Sequence, residues 1–137
     1  MTPDIEQGVR PSKGERVVTE PLGPMRELRD LVEWVDSRLD AKVSDSYKDE
    51  PLAQDWARVA KITEEAGEAI DALIGITGQN PRKNFYGTQE HLFDELCDVA
   101  LTGLYALQHF TKDGTKTVGW LLARARTHKA RFEAMDQ

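Results

Sequence analysis

The sequence predicts an all-α protein, a four-helix, bundle-like fold preceded by a flexible arm. Four segments repeat apolar residues at spacings of three and four, which is the period of an amphipathic helix. No segment alternates in the manner of a core strand, and no internal repeat is visible. The chain has 137 residues, a length that suits one domain with a single core.

The first 23 residues combine prolines and glycines with mixed charges, so residues 1–23 are predicted to form a flexible arm and residues 24–137 the domain. Pro24 suits the first position of a helix. Apolar residues recur from Leu28 to Leu39 with polar residues opposite, and this pattern predicts a first helix over about 24–41.

The middle of the chain predicts two longer helices separated by a loop. The second helix is expected to open at Pro51 and run to about Ile76, and the third to cover about 89–110. Residues 77–88 are rich in helix breakers, and a connection of this length is often functional. The third helix is apolar on nearly all sides. One small bundle cannot cover it, so we expect a homodimer or homotetramer.

A fourth helix is predicted over about 117–134, after a turn formed by KDGT, residues 112–115. Its apolar residues lie on one side and its basic residues on the other. Trp34 and Trp56 are expected to pack in the core, although either could instead stack on a base, and Cys97 is expected to be a small buried residue.

Composition restricts the class of partner. The net charge of −6 does not favour nucleic acid or an anionic membrane. Cys97 is the one cysteine, so no internal disulfide is possible and a reducing compartment is expected. The N-terminal residues lack the apolar core of a signal peptide. These features predict a cytoplasmic protein.

Acidic residues cluster on the second and third predicted helices. Glu65 and Glu68 are three residues apart and share a helix face, which Glu64 reaches through its four-residue spacing to Glu68. Glu95 and Asp98 repeat the three-residue spacing at the border of an apolar row. If the two helices pack as antiparallel neighbours, the two pairs face each other.

Such a cluster needs a compensating charge. Two unit charges about 4 Å apart repel by roughly 1 kcal/mol in water and about 4 kcal/mol near a protein surface. The acids are therefore either partly protonated or neutralised by a cation. Oxygen ligands alone suit Mg²⁺, or alternatively Mn²⁺. A single Glu-x-x-Glu is usually a solvated helix face, and a di-iron site would need Glu-x-x-His, which these pairs lack.

The segment KITEEAGEAIDAL (61–73), followed by DELCDVALTGL (94–104), resembles the MazG-type all-α nucleoside triphosphate pyrophosphohydrolases. Their pattern is Glu-Glu-x-x-Glu, a spacer, then Glu-x-x-Asp, on two helices of a bundle. The resemblance covers about residues 25–134 and leaves the arm outside.

The resemblance implies a Mg²⁺-dependent enzyme that hydrolyses a (deoxy)nucleoside triphosphate to the monophosphate and pyrophosphate, by a water that the metal activates. The resemblance also implies a role in house-cleaning of the nucleotide pool. The implied metal ligands are Glu65, Glu68, Glu95 and Asp98. Glu64 and Glu65 are the implied catalytic carboxylates, with Glu64 a further ligand or a group that orients the water.

Basic residues are the expected contacts to the substrate phosphates. Lys61 shares the acidic face, and two further cations lie in the loop between the acidic helices. The family places a Lys, and often an Asn, on the last helix. Here HKARF supplies the Lys, but no Asn stands nearby. The substrate-binding candidates are Lys61, Arg82, Lys83, Lys129 and Arg131.

Three other functions fit the same pattern. The chain could act on phosphoribosyl-ATP within the same superfamily. It could be a helical interaction module in which the acids form a partner-binding face. It could also be a regulator that binds a metal without turnover.

Overall fold

The structure is a computed structural model that describes residues 23–42 and 48–136. Four helices make up the fold, and no strand occurs within those two ranges, so the predicted all-α class is confirmed. The predicted arm lies outside the described residues except for Gly23. The helices are α1 (Pro24–Ala41), α2 (Pro51–Thr77), α3 (Gln89–Thr111) and α4 (Gly114–Met135).

Local signals explain the first three sets of helix boundaries. Pro24 and Pro51 each occupy the start of a helix, where the missing N–H costs nothing. Gly78 ends α2 with φ 65°, a conformation that glycine adopts without strain. The Thr88 hydroxyl accepts a hydrogen bond from the His91 amide at 3.2 Å and caps α3. These boundaries agree with the prediction to within one residue.

The start of α4 was predicted wrongly. The helix begins at Gly114 rather than near residue 117. Asp113 caps it by accepting a hydrogen bond from the Lys116 amide at 3.0 Å, while Lys112 closes α3 with φ 54°. The turn is therefore two residues long. Gly114 is buried, and its amide donates to Glu33 Oε1 of α1 at 2.7 Å.

Helices α2 and α3 form the most extensive contact of the fold and run antiparallel. Near the start of α2, Asp55 meets His109 at the end of α3. Near the end of α2, the Gly75 carbonyl accepts a hydrogen bond from the Tyr86 amide, just before α3. α1 packs on α3 and α4.

The buried contact between α2 and α3 follows one row of residues on each helix, which we call the inner seam. Its members repeat at three and four and are buried or half-buried, and four of the ten are Ala or Thr. Small residues let two helices approach closely. The inner seam comprises Ile62, Glu65, Ala69, Ala72 and Ile76 on α2, and Glu95, Val99, Thr102, Ala106 and His109 on α3.

The hydrophobic core of the described chain is small. Its buried apolar side chains are Val32, Ala69, Ala72, Leu104, Ala106 and Val118. Trp34 and Trp56 are 57% and 70% exposed, and Cys97 is exposed, so the expectation that these side chains are buried was wrong for the single chain. They lie on helix faces that no other part of the described chain covers.

None of the helices within residues 23–42 and 48–136 combines the length and apolar character needed to cross a bilayer.

Candidate functional site

Three acidic side chains meet where the middle of α2 crosses the first half of α3. Glu65, Glu95 and Asp98 each offer a carboxylate oxygen, and these oxygens lie within 4.8 Å of one another. Glu65 is 8% exposed, Glu95 is half-buried and Asp98 is exposed. We call these three residues the acidic cluster. It is open to solvent on the Asp98 side and closed on the Glu65 side.

The inner seam explains why these acids converge. Glu65 occupies a seam position on α2, and Glu95 occupies one on α3. Because the helices run antiparallel, the two positions come opposite each other. Asp98 follows Glu95 by three residues and emerges on the same side of α3. Of the two acidic pairs predicted to face each other, the structure brings together Glu65 from α2 with Glu95 and Asp98 from α3.

Glu68 lies beside the acidic cluster but outside the group of oxygens within 4.8 Å. Its side chain is exposed. The negative charge of Glu65 raises the pKa of Glu68 above its usual value, and desolvation and the charge of Glu95 add to this effect. Glu68 is thus close enough for the charges of the cluster to affect its ionisation. A cation bound at the cluster would favour the ionised form of Glu68.

Lys61 partly neutralises the cluster. Its ammonium group lies 2.8 Å from Glu65 Oε1 and 3.0 Å from Glu64 Oε2. Hydrogen bonds to Glu65 and then to Glu64 raise the pKa of Lys61 above its usual value. Glu64 is exposed, and Lys61 is the contact that the structure gives it.

The other predicted substrate cations make no described contact with the acidic cluster. Arg82 and Arg131 are exposed. Lys83 lies 3.8 Å from Asp71, one turn beyond Glu68. Lys129 pairs with Glu133 on α4. Among the described contacts, Lys61 alone of the five candidates touches the acidic cluster.

The Lys83–Asp71 pair belongs to a small anchor that fixes the loop before α3. The Tyr86 hydroxyl donates to Asp71 Oδ1 at 2.9 Å, and the Lys83 ammonium lies 5.4 Å from the centre of the Tyr86 ring. The hydrogen bond to Asp71 raises the pKa of Tyr86, and burial and the charge of Asp71 act in the same direction. The loop is therefore held on the same flank of α2 that carries Glu68.

Two further residues adjoin the cluster. His91 Nδ1 lies 3.4 Å from Glu95 Oε1, one turn earlier on α3. Burial, and then the charge of Asp98, raise the pKa of Tyr105. The four-residue spacing from His91 to Glu95, one helical turn, was a usable sequence signal. Tyr105 carried a weaker signal, two turns after Asp98.

A second polar cluster joins α1, α2 and α3 at the other end of the helix pair. Oxygens of Asp36 and Asp40 and a ring nitrogen of His109 lie within 4.8 Å of one another. Lys112 and Arg58 pair with both carboxylates, at 2.7 to 3.7 Å. Cations of the chain thus already occupy this second cluster, which we interpret as a tie between helices.

His109 completes this tie through Asp55, whose Oδ1 lies 2.6 Å from His109 Nε2. Burial alone would raise the pKa of Asp40, but hydrogen bonds and charge from Lys112 and Arg58 outweigh it and lower that pKa. Sequence reasoning found no signal for His109, because its partners come from distant parts of the chain.

The donor set of the acidic cluster fits a hard divalent cation. Carboxylate oxygens are the ligands that Mg²⁺ and Mn²⁺ prefer, and sulfur is absent from the cluster. The three carboxylates of the cluster, one of them on the nearly buried Glu65, carry like charges, and one lysine offsets them. The residues present therefore suit a divalent ion.

Comparison with known protein families identifies the family of this chain. A family model described as phosphoribosyl-ATP pyrophosphohydrolase matches residues 28–111. The chain belongs to this family. The family is a member of the all-α MazG-like superfamily of pyrophosphohydrolases, so the resemblance is confirmed at superfamily level. No curated protein and no solved structure gave a significant match.

Family membership indicates a pyrophosphohydrolase that acts on phosphoric anhydrides. The matched range contains all of the acidic cluster and Lys61, and it ends at Thr111, where α3 ends. α4, with Lys129 and Arg131, lies outside it.

Proposed function

We propose that the protein hydrolyses the triphosphate chain of a nucleotide, with the help of a divalent metal, and releases pyrophosphate. The observation that carries the proposal is the convergence of Glu65, Glu95 and Asp98 from two helices inside the family match. A surface face of unrelated acids has no reason to bury Glu65 beside Glu95.

In this proposal Glu65, Glu68, Glu95 and Asp98 hold Mg²⁺, or Mn²⁺ in its place. When bound, the metal supplies charge neutralisation for the phosphates and lowers the pKa of water. Glu64 is exposed one turn before Glu68, and its proposed role is to orient a water and accept its proton. Glu65 assists from within the cluster.

Lys61 has a second role in the proposed reaction. With no ion or substrate bound, it pairs with Glu65 and Glu64. Its side chain is half exposed, so it can turn from these acids to a substrate phosphate once another cation neutralises them. Lys83, Arg82, Lys129 and Arg131 remain proposed phosphate contacts, which require the substrate to extend beyond the acidic cluster.

The proposed substrate is phosphoribosyl-ATP, which the family match favours. The second candidate is a canonical or modified (deoxy)nucleoside triphosphate. One observation favours this second candidate. Phosphoribosyl-ATP carries an additional ribosyl phosphate, which would need a further cation, whereas Lys61 is the one candidate cation with a described contact to the acidic cluster. Both substrates would lose pyrophosphate through the same bond cleavage.

The test is pyrophosphate release from phosphoribosyl-ATP and from a panel of ribo- and deoxyribonucleoside triphosphates, with Mg²⁺, with Mn²⁺ and with chelator. Release of pyrophosphate and the matching monophosphate product supports the proposal, and the ranking of substrates decides between the candidates. Orthophosphate as the product would mean that a different bond is cut. Absence of turnover on every substrate, in folded protein, would contradict the proposal.

Matched variants locate the activity. Glu65→Gln and Glu95→Gln are expected to lower turnover at least 100-fold while the protein stays folded, because each removes a carboxylate from the cluster. Glu27→Gln, at an exposed acid in the first turn of α1, serves as the control and should keep full turnover. Full activity in both cluster variants would show that the site lies elsewhere.

A further inference from the structure

A row of residues runs along one flank of α2, beside the acidic cluster, and we call it the site row. Its members follow one another at four, three, four and three residues, so they share one face of the helix. The first two are acids of the proposed site, and the last is the glycine that ends α2. The site row comprises Glu64, Glu68, Asp71, Gly75 and Gly78.

The loop before α3 folds back over the second half of the site row. The Tyr86 hydroxyl donates to Asp71 Oδ1 at 2.9 Å, and the Tyr86 amide donates to the Gly75 carbonyl at 2.9 Å. A Cβ atom built on Gly75 would lie 2.6 Å from the Tyr86 ring, so the glycine is what admits the tyrosine. The site row is therefore exposed at its acidic end and covered by the loop at its other end.

Phe85 lies against the last position of the site row. A Cβ atom built on Gly78 would lie 2.7 Å from Phe85 Cζ and 2.8 Å from Cε1, so the tip of the ring occupies the space that a side chain would take. Phe85 is nevertheless 76% exposed. Contact through the tip of the ring, together with this exposure, leaves the ring faces to solvent.

The backbone of the loop holds Phe85 in this exposed position. The Lys83 amide donates to the Asn80 carbonyl at 3.1 Å and closes a turn in which Pro81 takes the second position, where its fixed φ is favourable. Asn84 then redirects the chain with φ 57°, a conformation that asparagine tolerates better than most residues. An apolar ring is thus kept in water at a cost in free energy, and a ligand that covers the ring would remove that cost.

The groups along the site row follow the order of the parts of a nucleotide. Glu68 marks one end, where the proposed divalent ion would meet the phosphates. Lys83 lies at the middle, 3.8 Å from Asp71, and an ammonium group there suits a phosphate. Phe85 marks the far end. Gly78 follows Glu68 by ten residues, about 15 Å of helix, and an extended triphosphate, ribose and base cover a comparable length.

Charge favours a single nucleotide over larger ligands that also carry phosphates. The net charge of −6 does not favour nucleic acid or an anionic membrane. A mononucleotide whose phosphates are neutralised by a divalent ion is compatible with that charge. An aromatic ring can bind any base, because stacking requires a π face and does not depend on the pattern of donors and acceptors at the base edge.

We propose that the Phe85 ring is the stacking platform for the base of the substrate nucleotide and that it favours purines over pyrimidines. The inference rests on the proposed hydrolysis of a nucleotide and adds the group that binds its far end. The double ring of a purine overlaps a phenyl ring more extensively than a pyrimidine does. Phe85 touches the base rather than the reacting phosphates, so its contribution falls on substrate binding and not on the chemical step.

The test compares Phe85→Leu with the native protein on phosphoribosyl-ATP and on purine and pyrimidine nucleoside triphosphates, with Mg²⁺. Leucine keeps an apolar side chain beside Gly78 and removes the ring. The KM for purine substrates should rise about 10-fold, kcat should change little, and the preference for purines should shrink. Phe85→Tyr keeps the ring and should restore the native KM. Phe110→Leu, the same substitution at the end of α3, is the control and should leave KM unchanged.

A second measurement does not depend on turnover. The triphosphate of 2-aminopurine riboside loses fluorescence when its base stacks on an aromatic ring. The native protein with Mg²⁺ should quench this fluorescence on titration. Phe85→Leu should do so with a dissociation constant about 10-fold higher or more, while circular dichroism shows that the variant is folded.

The two measurements separate this inference from the proposed reaction. Quenching that depends on Phe85, in a protein without turnover, would overturn the hydrolysis and support the stacking platform. Turnover with an unchanged KM in Phe85→Leu, or turnover by a native protein that does not quench the probe, would overturn the platform and leave the hydrolysis standing. Absence of both turnover and quenching would overturn both.

Discussion

Glu95→Gln should stabilise the protein when no divalent ion is present. The Glu95 side chain is 15% exposed, and one of its oxygens lies within 4.8 Å of oxygens of Glu65 and Asp98. At that distance each pair of like charges repels by about 3.5 kcal/mol at an effective dielectric constant of 20, and by about 0.9 kcal/mol in water. Glutamine keeps the shape of the side chain and removes both repulsions.

Three effects reduce the gain. Asp98 is exposed, so its repulsion lies near the lower value. Lys61 already neutralises part of the charge on Glu65. The variant also loses the contact with His91, which is 53% exposed and contributes less than about 1 kcal/mol. We expect a net stabilisation of about 1 to 2 kcal/mol, which raises Tm by roughly 3 to 8 °C.

The assay is thermal unfolding followed by circular dichroism at fixed protein concentration, first with chelator and then with excess Mg²⁺. Mg²⁺ should raise the Tm of the native protein, because a ligand that binds the folded state stabilises it, and should raise that of the variant much less. Glu90→Gln is the control: Glu90 lies in the first turn of the same helix, and its loss should lower Tm slightly.

The reasoning would be refuted by a Glu95→Gln protein that is less stable than the native protein in chelator. It would also fail if Mg²⁺ stabilised both proteins equally, because Glu95 would then have no part in binding the ion.

Three further predictions concern the parts of the fold that support the site. Gly75→Ala places a Cβ 2.6 Å from the Tyr86 ring and carbonyl, and should cost about 1 to 3 kcal/mol in urea unfolding; a neutral effect would mean that the loop moves freely. Thr117→Val leaves the buried Gln108 carbonyl without the 2.7 Å hydrogen bond from the Thr117 hydroxyl, and should cost about 1 to 3 kcal/mol by the same assay; a more stable variant would contradict this. The lowered pKa of Asp40 adds stability above pH 3.8 that is lost as the pH falls through the folded-state value, so Asp40→Asn should be less stable than the native protein at neutral pH, by under about 1 kcal/mol, and equal to it in strong acid; a gap that persists in acid would assign the effect to another cause.

The sequence predicted the helices well where a single residue dictates a boundary. Pro24, Pro51 and Gly78 act through their own backbone geometry, which does not depend on the rest of the fold. The start of α4 was missed because Asp113 and Gly114 are typical of turns and also of helix N-termini. The hydrogen bond from the Gly114 amide to Glu33, a residue of α1 that is distant in sequence, favours the helix N-terminus over the turn.

The acidic cluster was predictable because helical spacing alone brings Glu65 and Glu95 to matching faces once the helices pair. The cation contacts were harder to predict, since a lysine side chain pairs with whichever acid the fold brings near it. The exposure of Trp34 and Trp56 was missed for another reason. A row of apolar residues has the same spacing whether it packs inside its own chain or against another surface.

The small residues of the inner seam affect which divalent ion the proposed metal site prefers. Ala69, Ala72 and Thr102 set how closely α2 and α3 approach, and that separation fixes the gap across which Glu65 and Glu95 face each other. The size of the proposed ion site therefore depends on the distance between the two helices, which small side chains outside the ligand set control. Mg²⁺ takes ligands at about 2.0 to 2.1 Å and Ca²⁺ at about 2.3 to 2.6 Å. Ala69→Val would increase the distance between the helices while every carboxylate is retained. The preference of the proposed site should then shift from Mg²⁺ towards Ca²⁺.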